Sequence, residues 1–219
     1  MNEHSTIDSP TAQPSPGAAQ LIFGPFTQPA KHFALLTSKT AWLIPLVIVA
    51  VVGSIIGHVT RPIYGKTMMP AVRERVENYR QYMSDEQYNE TMARIAESEK
   101  ELKENPFKWY YPLLAVAMPF ALFAIIGGLS MLAGNFVFGG RATFLIILGV
   151  VAGSALIGLL GDVIRGVLMV VKDSSYVYTG LGVLIPEDDG TFLYYLLRQI
   201  DLFSIWRIAV TAIGLGAVY

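Results

Sequence analysis

The sequence predicts an all-α fold: a polytopic helical membrane bundle with four visible spans and an extramembrane helical hairpin between spans one and two. Three observations carry that expectation. The 219-residue chain is 53% hydrophobic and only 15% charged, well below the roughly 25% charged residues of soluble globular domains, and its mean hydropathy is +0.47. Apolar runs recur that can cross a hydrocarbon core of about 30 Å. Charge is gathered rather than spread, since 18 of the 33 charged residues fall between Arg61 and Lys108. A net charge of −1 argues against nucleic acid as a partner, and the absence of cysteine excludes disulfides and thiolate metal sites.

Residues 1–20 are rich in Ser, Thr, Pro, Gln and Ala without an apolar period, and read as a disordered tail. No apolar run precedes Ala41, so a cleavable secretory signal is not expected. Residues 21–40 mix Phe23, Phe26, Phe33 and Leu36 with Pro25, Pro29, Lys31 and His32. They read as an interfacial lead-in, either a short helix begun by Pro29 or a plain juxtamembrane linker. The first span is expected over 41–60, which holds no formal charge, with Trp42 anchoring one end and Arg61 closing the other.

Residues 61–108 carry 9 Lys/Arg and 9 Asp/Glu. A helix is expected to start at Pro70, with Val72, Val76, Tyr79 and Met83 on its apolar stripe. Ser84-Asp85-Glu86-Gln87 has the form of a capping box. It opens a second helix whose stripe is Tyr88, Met92, Ile95 and Leu102 and which stops at Asn105-Pro106. The two stripes can bury each other as an antiparallel hairpin. Such a hairpin either spaces two spans or docks a partner.

The second span is expected over 109–134, behind the aromatic belt Trp109-Tyr110-Tyr111, and a loop over 135–141 reverses the chain. The third span, 142–171, carries Gly149-x-x-x-Gly153 and Ser154-x-x-x-Gly158. Small residues four apart let helix backbones approach closely, which suits packing within the bundle or, less readily, a homo-oligomer. Asp162 and Arg165 lie three residues apart on one face of this helix and are able to pair. They mark either the membrane interface or a polar site inside the bundle, because a lone charge at membrane depth is costly. A polar loop over 172–190, ending in Glu187-Asp188-Asp189, leads to an interfacial helix over 191–202. The fourth span is expected over 203–219, with Arg207 near enough to its mouth to snorkel. Asp201 then stays at the wet interface and Trp206 at headgroup level.

Two motifs carry a resemblance. The late pattern Asp201-x-Phe203-x-x-Trp206, followed by Gly214, resembles the signature of the Yip1 domain family of multi-span membrane proteins. Pro29, Phe33, Trp42 and Pro45 are similar to the segment that precedes the first span in bacterial members. The resemblance implies a membrane adaptor without catalytic activity, in the bacterial cytoplasmic membrane, with a membrane protein as partner, such as an export ABC transporter. Family members commonly have five spans, which implies a further span after Tyr219.

No phosphate-binding glycine loop, zinc His pair or nucleophile elbow occurs, so neither enzyme activity nor a cofactor is expected. His4, His32 and His58 lie in separate environments. The Lys/Arg count of 9 in residues 61–108, against 2 before the first span and 1 at Arg141, favours a cytoplasmic hairpin. The functional expectation is a scaffold or accessory protein bound to the bilayer and to a protein partner. The rival is a small transporter or channel using Asp162 and Arg165.

Overall fold

The computed structural model describes residues 17–36, 39–104, 110–184 and 192–219. Most of the expected tail, the helix stop at Asn105-Pro106, Trp109 of the aromatic belt and the acidic run 187–189 lie outside the described residues. The helices are α1 (Ala18–Thr27), α2 (Pro29–Ala34), α3 (Leu43–Asn78), α4 (Asp85–Glu104), α5 (Tyr111–Met131), α6 (Phe144–Lys172), α7 (Phe192–Gln199) and α8 (Leu202–Val218). Among the described residues there is no strand, only an isolated antiparallel bridge between Gly180 and Asp201.

Three of these segments are long and apolar enough to cross a membrane: Leu43–Asn78, Leu113–Val137 and Phe144–Lys172. α8 is a shorter apolar helix of 17 residues. The apolar surface left uncovered agrees with a lipid surround. Leu113, Met118, Ile125 and Leu129 of α5 are exposed, as are Val47, Val51 and Ile55 of α3 and Ile205 and Ile208 of α8. Contiguous apolar surface of that extent is not left bare in water.

α6 is the central helix, with Ile147, Val150, Ala152 and Ile157 fully buried. Its small residues explain how neighbours come close. A Cβ on Gly149 would touch Leu36, one on Gly153 would lie 3.1 Å from the Phe33 ring, and one on Gly158 would lie 3.3 Å from Arg207 Cδ. Ser154 is buried and its hydroxyl donates to the Val150 carbonyl at 2.8 Å. Gly149, Gly153 and Gly158 thus each receive a segment of the same chain. α8 runs antiparallel to α6, Phe203 lying at Gly161 and Gly214 at Val150. α3 runs parallel to it, with Trp42 beside Gly149 and Ile56 beside Gly166.

The lead-in segment differs from expectation. α1 begins at Ala18, inside the stretch read as tail. Neither helix simply lies on a surface, since Leu21, Phe33 and Leu36 are buried in one cluster with Val150, Ile157 and Val210 of α6 and α8. The reason is tertiary: glycines on α6 and α8 open a slot that an aromatic ring fills.

α3 also departs from expectation. It does not end at Arg61 or restart at Pro70, but continues for 36 residues with Pro62 and Pro70 inside it. An interior proline costs a hydrogen bond and crowds the preceding turn. Packing against α6 and α4, remote in sequence, outweighs that local cost. α4 returns along the second half of α3, with Leu102 beside Gly65 and Glu99 paired to Arg73 at 3.1 Å. Tyr88, Met92, Ile95 and Leu102 are the less exposed side of α4. The stripe expected on the α3 side is shifted, for Val72 and Tyr79 are exposed. The capping box is formed: Gln87 N–H donates to Ser84 Oγ at 3.2 Å, and Ser84 N–H donates to Gln87 Oε1 at 3.1 Å. Finally, the expected loop at 135–141 starts late, because a π-helical turn carries the chain from Leu132 to Val137.

Candidate functional site

The polar residues of the third and fourth expected spans meet at the mouth of α8. On α6, Gly158, Gly161, Asp162 and Arg165 follow the 3-4 spacing of one helical face. On α8, Phe203, Ser204 and Arg207 do the same. The two faces and Thr179 line a half-open cavity of about 80 Å³.

Glycine decides the approach on the α6 side. A Cβ on Gly161 would lie 2.7 Å from Phe203 Cγ, and Gly158 lies under the Arg207 side chain. On the other side the chain is pinned by the Gly180–Asp201 bridge and by Leu181 N–H donating to the Ile200 carbonyl at 3.0 Å. A Cβ on Gly180 would meet the Ile200 carbonyl oxygen at 2.3 Å, so only glycine fits there.

Asp201 is the N-cap of α8. Its Oδ1 accepts from Phe203 N–H at 2.8 Å and Ser204 N–H at 3.0 Å, and its Oδ2 accepts from the Ser204 hydroxyl. Burial opposes ionisation of this carboxyl, but the Ser204 and Phe203 hydrogen bonds and the charge of Arg165 outweigh it and hold its pKa below the ordinary carboxylate range.

Arg165 is oriented by its Nε donating to the Val177 carbonyl at 3.3 Å. Asp162 is exposed and lies within electrostatic reach of Arg165, Arg207 and Asp201. The expected direct pair is not formed, since no ion pair within 4.0 Å joins Asp162 to Arg165. The turn toward Val177 draws the guanidinium away. Asp162 and Arg165 therefore belong to a wider group with Asp201, Ser204 and Arg207. The sequence carries a sign of this in the 201-204-207 spacing, which stacks three polar side chains on one side of an otherwise apolar helix.

The remaining residues singled out from the sequence are structural in placement. Pro29 is the first residue of α2, and Pro45 is buried in α3. Trp42 donates from Nε1 to the Lys39 carbonyl at 2.9 Å, its ring 5.7 Å from Phe120. Trp206 lies inside α8. It is half-buried and meets the Phe26 ring edge-on at 5.8 Å. Its position more than a turn inside α8 places it over α1. Among the described residues, no group of three or more His, Cys, Asp or Glu is placed to hold a metal ion.

Fold and site together define a helical bundle with three candidate membrane spans and a mixed-charge cavity at one end. No family model, curated protein or solved structure matches the chain.

Proposed function

We propose that the protein is a non-enzymatic scaffold or accessory protein of Yip1 type in the bacterial cytoplasmic membrane, docking a membrane protein partner through the arm built by α3 and α4. The observation that supports this reading is the unbroken course of α3. Its 36 residues run from the bundle, past Arg61, to an aromatic tip. At that tip Tyr79 is 58% and Tyr82 76% exposed, their rings 6.2 Å apart. Tyrosines of this kind are common energetic anchors of protein interfaces. The ring of Tyr88 sits under the Arg80 guanidinium at 4.5 Å, which stiffens the turn. The test is affinity capture from native membranes of the whole chain, of a chain lacking residues 67–104, and of a Tyr79→Ala/Tyr82→Ala variant. A membrane protein held by the first and lost from both others supports docking on the arm. Equal recovery by all three overturns it.

The α6–α8 cavity favours a second reading, a small transporter. In that case Asp162→Asn abolishes solute flux in vesicles, whereas a scaffold retains its partner with the same substitution.

A further inference from the structure

We propose that the cavity between α6 and α8 binds a phosphoethanolamine group, with the phosphate held by Arg165 and Arg207 and the primary ammonium by Asp162. The inference goes beyond the docking arm and stands or falls separately from it.

The charges come first. Asp162 and Arg207 have no hydrogen bond or ion pair to one another, and the Arg165 guanidinium uses only Nε, toward Val177. Asp201 is engaged by the first turn of α8. Among the described residues, one carboxylate without a hydrogen bond or ion pair thus stands beside two guanidiniums with donors to spare. A plain anion would face Asp162 and Asp201, and a plain cation would face both arginines. A zwitterion answers both signs. Arginine matches phosphate oxygens through paired N–H donors, while an ammonium matches a carboxylate.

Size comes second. The cavity, about 80 Å³ and open on one side, has room for a group larger than a single water. A primary ammonium is about the size of one water and enters, leaving the phosphate on the arginine rim. A trimethylammonium has no N–H donor to offer the same carboxylate.

Depth is the third argument. Phe144 to Gly161 rises about 27 Å at 1.5 Å per residue, close to a hydrocarbon thickness of about 30 Å. α8, with 17 residues, rises about 25 Å and begins at the same level. A membrane face set at Phe144 would put the charged group at the level of the opposite headgroups. Exposed Ile164 and Ile208 on the same two helices offer acyl chains an apolar wall.

The test is native mass spectrometry of the full chain with phosphatidylethanolamine, phosphatidylcholine and phosphatidylglycerol of matched acyl chains. Phosphatidylethanolamine is expected to be retained about tenfold over the other two, and Asp162→Asn to remove that preference. Arg207→Gln is expected to weaken phosphatidylethanolamine retention by a similar factor. Equal retention of the three lipids by the unaltered protein overturns the proposal without any variant. So does an Asp162→Asn protein, eluting as the parent does, that keeps the preference. Free phosphoethanolamine separates the sources: displacement of the lipid assigns the site to a soluble zwitterion, and no displacement assigns it to the membrane lipid.

Discussion

The ring of Phe33 rests directly on the backbone of Gly214. A Cβ at Gly214 would lie 2.6 Å from Phe33 Cδ2 and 2.6 Å from Val150 Cγ1, and Phe33 itself has no exposed surface. The contact joins α2, α6 and α8, so one ring holds both ends of the chain to the central helix. Gly214→Ala is expected to lower stability by about 1–3 kcal/mol, the usual cost of overpacking. Thermal unfolding in detergent checks it, and Phe33→Leu in the same chain is expected to recover part of the loss.

Removing the ring tests the same slot from the other side. Phe33→Ala leaves a void and is expected to cost about 3–5 kcal/mol. Because α1 and α2 are held chiefly by this cluster, protease is expected to cut within residues 18–36 before the rest of the bundle. Unchanged cleavage would show that α1 and α2 are held by other contacts.

The cap of α8 predicts a pH dependence. The folded-state pKa of Asp201 lies below its unfolded value. The stability it contributes is therefore fully present above the unfolded carboxyl value and is lost as pH falls through the folded one. Melting temperatures measured from pH 6 downward should fall more steeply for the parent than for Asp201→Asn. At neutral pH, Asp201→Ala is expected to cost about 0.5–2 kcal/mol, as loss of an N-cap does.

Gly180 offers a backbone test of how the cavity is closed. With the Ile200 carbonyl oxygen at 2.3 Å and Asp201 Cα at 2.6 Å from a Cβ, neither neighbour can rotate away. Gly180→Ala is expected to open the Gly180–Asp201 bridge and destabilise by about 1–3 kcal/mol. Faster hydrogen exchange at Leu181 N–H, which bonds to Ile200, is the reporter.

On the arm, Ser84→Ala removes one half of the reciprocal cap and is expected to cost about 0.5–2 kcal/mol. The loss should appear as fraying at the start of α4 in hydrogen exchange, with the bundle unaffected.

Features written in local sequence were legible. The long apolar runs and the cap at Ser84 each follow from residues within a turn or two of one another, whereas the break at Ile200 and Asp201 between α7 and α8 falls inside the helix expected over 191–202. What escaped is set by remote partners. Nothing near Phe33 says that Gly153 and Gly214 will leave a slot for it. The prolines at 62 and 70 look like breaks because their cost is local, while α6 and α4 supply the compensation from far along the chain. The cavity was half legible. Asp162 and Arg165 stand out against their apolar surroundings, but Arg207 looks like an ordinary snorkelling residue until antiparallel packing brings it over Gly158.

An uninterrupted α3 also has a mechanical meaning. A helix of 36 residues is a rod about 54 Å long, clamped at one end between α5 and α6. Pro62 and Pro70 lie inside it, and α4 braces the half that holds them. A load applied at Tyr79 or Tyr82 would run down α3 toward its buried end at Leu46. Inserting two glycines after Arg61 would turn the lever into a hinge.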